Sequence, residues 1–184
     1  MSHALSDPRL ARLRHRGRLL SAVTLFILLA LVGGGLGIWL RPAWIEAIVV
    51  PRVGISGYPV TLDGLSMTLG FLIAAVPLAV LAYGLNEVRL IFRDFGNGET
   101  VTGTLATRLE RFGAAVALQA LLNPLVSTLL GVVLTLGNPP GQRVLAISLS
   151  SHDVVSVLVG MLVIGVGAVM REAARIAREN EGFI

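Results

Sequence analysis

The stretch Leu19 to Leu40, LLSAVTLFILLALVGGGLGIWL, runs for twenty-two residues without a charge. As a helix it is about 33 Å long at ~1.5 Å per residue, which matches a hydrocarbon core of ~30 Å. An arginine-rich arm precedes it, so a secretory signal is the competing reading. The run exceeds the ~7–15 residues of a signal core, and Arg41-Pro42-Ala43-Trp44 is a poor cleavage site. It is therefore expected to be a retained signal-anchor. Three further apolar runs follow, giving four spans at about 19–40, 65–86, 112–137 and 154–170. Ser66 is the expected N-cap of the second, and Pro77 in its interior predicts a kink. The third carries Gln119, Asn123 and Pro124, and the fourth is short, with Asp153 as its expected N-cap.

Composition agrees with this reading. The 184 residues are 54% hydrophobic and only 14% charged, against roughly 25% charged in soluble domains. The expected fold class is an all-α membrane protein, a single domain over 1–184 with four transmembrane helices arranged as two hairpins. Residues 171–184 would form an amphipathic tail. There is no cysteine, which excludes disulfides, thiolate metal sites and thiol nucleophiles. His3, His15 and His152 are too scattered for a histidine metal site, so no metal or cofactor is expected.

Arginine placement gives the threading, because juxtamembrane Arg and Lys stay on the cytoplasmic side. Twelve of the fifteen arginines fall in the N-terminal arm, the loop after span two and the C-terminal tail; Arg41, Arg52 and Arg143 lie opposite. Both termini are expected in the cytoplasm, and the all-arginine basic set fits a GC-rich bacterial genome and hence a bacterial plasma (inner) membrane. The net charge of +4 follows from the same bias and is interleaved with acids, so no nucleic-acid partner is expected. The lipid bilayer is the first partner, and the N-terminal arginines suit anionic headgroups.

Two sets of matches suggest an internal repeat; the competing reading is that membrane hairpins share Arg-flanked ends and apolar interiors by necessity. Glu87, Ile91, Arg93 and Asp94 match Glu172, Ile176, Arg178 and Glu179 at an offset of 85, and Arg12, Leu13 and Gly17 match Arg108, Leu109 and Gly113 at 96. The matches predict two hairpins related by a pseudo-two-fold axis along the membrane normal. Residues 58–62 and 144–150 have strand character and are expected to pair with each other, or with residues near 48–53, as a small external cap.

Chemistry is sparse. No ionisable side chain sits well inside a span, and such residues are the usual marks of coupled transport. Gln119, Asn123 and Ser127, with Thr128, form a polar stripe that reads as interhelical hydrogen bonding, with a polar pathway or ligand contact as the alternative. Gly33 and Gly37 have G-x-x-x-G spacing, and Gly160, Gly165 and Gly167 form another small-residue surface, which leaves homo-oligomerisation open. Ser150-Ser151-His152-Asp153 has the residue types of a hydrolase triad but, as sequence neighbours, cannot adopt its geometry. Gly96-Asn97-Gly98-Glu99-Thr100 lacks the Lys-Ser/Thr of a phosphate loop and reads as a turn. Thr107 and Glu110 have capping-box spacing, and Arg175 can pair with Glu172 and Glu179 along the tail. The charged helix exits, Glu87, Arg93, Asp94, Glu172, Arg175, Arg178 and Glu179, are the candidate contacts for a protein partner.

The middle loop FRDFGNGETVTGTLATRLERFG (Phe92 to Gly113), the lead-in ISLSSHD (Ile147 to Asp153) and the tail REAARIARENEGFI (Arg171 to Ile184) resemble a bacterial membrane family known as domain of unknown function 2975. Val101 stands where that family usually has an aromatic residue. The resemblance implies a four-span topology and no biochemical activity, and its members' frequent neighbours, small helix-turn-helix regulators, imply a regulatory pairing. The expected function is thus non-enzymatic, an interaction or regulatory role through the cytoplasmic loop and tail. The alternative is a small oligomeric transport or permeability component.

Overall fold

The computed structural model describes residues 8–97, 103–139, 141–145 and 149–181. Its elements in order are α1 (Pro8–Ile38), α2 (Pro42–Trp44), a π-helical turn (Ile45–Val49), α3 (Val50–Val53), α4 (Gly64–Asn97), α5 (Gly103–Leu134) and α6 (Ser151–Glu181). α1, α4, α5 and α6 are long and apolar enough to cross a membrane. They pack in series, α1 on α4, α4 on α5 and α5 on α6.

The helices outrun the apolar stretches that nucleate them. α4 has 34 residues, about 51 Å at ~1.5 Å per residue against the ~30 Å core. Its excess is the charged part from Glu87 onward, and α5 and α6 likewise extend through Thr107–Arg111 and Arg171–Arg178. Three helix ends therefore form a head at the arginine-rich end of the molecule.

Glycines set how closely the helices approach. A Cβ on Gly17 would lie 2.5 Å from the Gly96 nitrogen, so α1 and α4 meet backbone to backbone. A Cβ on Gly113 or on Gly160 would come within 2.7 Å of the other's carbonyl oxygen, and Gly167 sits against Ala106 and Glu110. Apolar helices in lipid gain little from burying one another's leucines, so contact through small residues is what holds them. Gly33, Gly34 and Gly165 have nothing within 4 Å of such a Cβ.

These contacts overturn the expected repeat. Gly17 meets Gly96 near the end of α4, and the 85-residue offset would match Gly96 with Glu181. Gly113, the aligned counterpart of Gly17, instead meets Gly160 and Ile164 inside the apolar stretch of α6. A rigid two-fold rotation cannot carry one hairpin onto the other in that alignment. The matched residues share only the Arg-flanked ends that any membrane hairpin needs.

At the opposite end, no strand is found among the described residues. Residues 42–53 are helical, Tyr58–Leu62 and Val144–Leu145 are irregular, and 146–148 lie outside the described residues. The cap is instead an apolar plug with side-chain stitching. Trp39, Ile45, Val50, Val53 and Ile55 bury against Leu130 and Leu134 of α5. Buried Asn138 donates through Nδ2 to Pro59 O (2.6 Å) and Gln142 O (3.1 Å), and its Oδ1 accepts from Thr61 Oγ1 (3.0 Å). Thr135 Oγ1 accepts from Val144 N–H at 3.1 Å. Backbone groups expected to pair in a sheet are thus satisfied by side chains, Asn138 at Pro59 O, Thr135 at Val144 N–H and Ser66 at Thr61 O, and by the α5 backbone, where Leu134 O accepts from Thr61 N–H.

Both helices that start at this end use a reciprocal cap. Asp63, rather than Ser66, is the N-cap of α4: its Oδ1 accepts from Ser66 N–H (2.8 Å), and Asp63 N–H donates to Ser66 Oγ (3.0 Å). The Ser66 hydroxyl and N–H hold the Asp63 carboxyl below the usual carboxylate range. For α6 the roles reverse. Ser150 is the N-cap, and its N–H and hydroxyl donate to Asp153 Oδ2 at 2.9 and 2.8 Å. Thr107 does not begin α5, which starts at Gly103; Thr107 Oγ1 donates to Gly103 O (3.0 Å), and Glu110 pairs across to Arg171.

Candidate functional site

Two polar regions stand out on the apolar scaffold, one between the helices at mid-length and one in the charged head.

The first follows from where α6 begins. Asn123 Nδ2 donates to Asp153 Oδ1 at 2.9 Å, so the first turn of α6 lies level with Asn123. α5 continues eleven residues further, to Leu134, about 16 Å at ~1.5 Å per residue. Leu125 and Leu129 on that part of α5, and Leu65, Leu69 and Leu72 on α4, are exposed. Such a band of large apolar side chains requires lipid around it. The Ser150–Asp153 turn therefore sits at a depth where its helical neighbours are lipid-facing. A cavity of about 310 Å³ opens there, lined by Val80, Leu81 and Gly84 of α4, Gln119 and Asn123 of α5, and His152, Asp153 and Ser156 of α6. Gln119 Oε1 is buried without a hydrogen-bond partner among the described residues.

Asp153 is thus a helix-capping residue outside the apolar stretch of α6, as the sequence suggests, and what the structure adds is the neighbour it meets. That helix end is sunk beside the middle of α4. Of the expected polar stripe, Gln119 and Asn123 line the cavity; Ser127, half-buried one turn further along, is not in its lining.

The second region is the head. Two carboxylates on α4 are buried, Glu87 at 4% and Asp94 at 8% exposure. Each faces an arginine of α5: Arg111 Nη1 lies 3.6 Å from Glu87 Oε1, and Arg108 Nε lies 3.2 Å from Asp94 Oδ2. Arg171 of α6 pairs with Glu110 of α5. Ionic contacts thus tie all three helix ends together once the apolar contacts run out. Between these ends lies a cleft of about 870 Å³, lined by Arg108, Arg111, Arg171, Arg178 and Glu87, with Ala174, Ala177 and the first turn of α5 supplying room. Among the described residues Glu87 Oε2 and Arg108 Nη1 are buried without hydrogen-bond partners, and Arg108 Nε, though in ion-pair range of Asp94, is not aligned for a hydrogen bond.

The candidate partner contacts divide between inside and outside. Glu87 and Asp94 are buried, holding the head together. Arg93 is half-exposed, 3.9 Å from Asp94 Oδ1. Glu172, Arg175 and Glu179 form an exposed ladder on α6, with Arg175 Nε 3.0 Å from Glu172 and Nη1 2.9 Å from Glu179. Arg178 turns the other way, into the cleft, with Nε donating to Ala174 O at 3.1 Å. Sequence reasoning counted Arg111 and Arg171 only toward topology, and Arg108 toward topology and the repeat. The available signal was spacing: Glu87 and Asp94 are seven apart, and Arg108 and Arg111 three apart, which puts each pair on one helix face.

Among the described residues no group of three or more His, Cys, Asp or Glu side chains is placed to hold a metal ion. No family model, curated protein or solved structure matches the chain.

Proposed function

We propose that this chain is a non-enzymatic multi-pass protein of a bacterial plasma membrane, working by contact through its arginine-rich head, with that head and both termini in the cytoplasm. The observation that carries this reading is the head itself. Three helices run on beyond their apolar stretches, are tied by ion pairs across α4, α5 and α6 in which the two α4 carboxylates are buried, and leave Glu172, Arg175 and Glu179 outward on α6. A helical extension braced in this way presents a fixed surface at little ordering cost when a partner docks. Family membership in domain of unknown function 2975 stays part of the same proposal, on the loop and tail motifs.

The test is a photo-crosslinking residue placed at Arg175 or Glu179 in native membranes, with Leu129 on the lipid-facing surface as control. The expected result is one discrete heteromeric adduct from the tail positions, competed away by excess unlabelled chain. No adduct, or the same adducts from Leu129, overturns the reading.

One observation favours the alternative of a small transport or permeability component: the cavity that brings Gln119, Asn123, His152 and Asp153 together at bilayer depth. The two readings separate on substitution. Gln119→Leu with Asn123→Leu should leave a contact function intact and abolish a permeability function. Deleting residues 172–184 should do the opposite.

A further inference from the structure

The head cleft carries an inference that does not depend on a protein partner. Its arginines outnumber its acids even when Asp94 and Glu110, bound to Arg108 and Arg171, are counted with Glu87. More telling is the state of its buried atoms. Arg108, with a side chain only 16% exposed, keeps Nη1 buried and without a hydrogen-bond partner among the described residues, and its Nε is out of line with Asp94. A buried guanidinium left in that condition costs free energy that a well-placed acceptor would restore. Arg178, whose hydrogen bond goes to the Ala174 carbonyl of its own helix, brings a second cationic fork to the same space. The α5 backbone at Gly103 and Thr104 adds the positive end of a helix.

We propose that this cleft binds a phosphate-bearing anion, held by Arg108 and Arg178, whose phosphate lies close to a hydroxyl or ammonium donor. Guanidinium forks match phosphate oxygens in pairs, and the Glu87 carboxylate in the cleft wall, whose Oε2 is buried without a hydrogen-bond partner among the described residues, supplies the acceptor for the donor. Position fits a lipid source: Glu87 and Arg111 lie where the apolar stretch of α4 ends, so a headgroup at the bilayer surface reaches the cleft from the side. Phosphatidylglycerol and phosphatidylethanolamine carry both groups, phosphatidylcholine lacks the donor, and inorganic phosphate carries its own hydroxyl.

The experiment uses the full-length protein in two arms. In the first, it is reconstituted in nanodiscs of mixed phosphatidylcholine and phosphatidylglycerol, and lipid retention is read by native mass spectrometry. In the second, delipidated protein in detergent is titrated with inorganic phosphate, against chloride at equal ionic strength, and thermal stability is followed. The variants are Arg178→Gln, Arg108→Gln combined with Asp94→Asn so that no buried charge is stranded, and Arg175→Gln, which removes the same charge from the outer face. Selective retention of phosphatidylglycerol, lowered roughly tenfold by loss of one charge-assisted contact in the first two variants and unchanged in the third, supports the proposal with lipid as the source. Stabilisation by phosphate alone, with the same variant pattern, supports it with a soluble source. Absence of both effects, or an equal loss in Arg175→Gln, overturns it. Neither arm involves the tail crosslink, so the two proposals fail separately.

Discussion

Replacing Gly160 by alanine is a sensitive probe of how these helices are stacked. The added Cβ would lie 2.7 Å from both the Ala117 nitrogen and the Gly113 carbonyl oxygen, which are backbone atoms that no rotamer change can move. α6 must back away from α5, and overpacking of this kind costs about 1–3 kcal/mol. Alanine is itself the better helix former by about 1 kcal/mol, so that gain offsets part of the loss. Gly165→Ala, with nothing within 4 Å of its new methyl, keeps the gain and meets no obstacle. The two glycines lie five residues apart on one helix, so propensity alone treats them alike. In reversible unfolding in mixed micelles, Gly160→Ala should be destabilised by up to about 2 kcal/mol and Gly165→Ala neutral or more stable. Gly113→Ala should resemble Gly160→Ala, and the pair should be non-additive because both act at one contact. Equal stabilities for the 160 and 165 variants, or strict additivity of 113 with 160, would refute the packing register. The depth assigned to Asp153 would fall with it.

Other outcomes follow from the cap end. Asn138→Ala removes three hydrogen bonds from a buried side chain, at about 1–3 kcal/mol for each polar group left without a partner. Limited proteolysis should then cut within 54–63 and 138–145 faster than in the parent protein, while an unchanged pattern would remove Asn138 as the stitch. Because the Asp63 carboxyl is held below its ordinary value, its share of stability is present above about pH 4 and is lost as pH falls through the lower, folded value. The parent should therefore exceed Asp63→Asn in melting temperature at neutral pH and converge with it in acid; a gap that persists or widens in acid contradicts the reciprocal cap.

Four spans were legible because continuous apolar length is a one-dimensional property: the runs at 65–86 and 154–170 lie within α4 and α6, and those at 19–40 and 112–137 overrun the ends of α1 and α5 by two and three residues. Their true ends were less visible. Arg108 and Glu110 sustain α5 and Glu87 to Asp94 sustain α4 through contacts with other helices, which local capping signals at Thr107 do not report. No strand forms among the described residues of the two expected segments, for a similar reason. β-branched runs at 58–62 and 144–150 express a preference for extended backbone, but whether that backbone pairs with a strand or with Asn138 and Thr135 depends on residues distant in sequence. The depth of Asp153 was hidden altogether, since Ser150-Ser151-His152-Asp153 precedes an apolar run like any cap. Only the Asn123 contact and the glycine register place it beside the middle of α4. The cleft arginines were equally visible as letters, and what the structure added is that Arg108 and Arg178 converge while Arg175 points away.

The central claim is that the ion-paired, arginine-lined head faces the cytoplasm. Because the chain has no cysteine, a single introduced one is a unique label. Ser56→Cys in the cap and Glu179→Cys in the head are both exposed positions, and a membrane-impermeant maleimide applied to spheroplasts reads their sides directly. Labelling of Cys at 56 in sealed spheroplasts, with position 179 labelled only after permeabilisation, is the result predicted here. Labelling of 179 from outside while 56 is protected would contradict it.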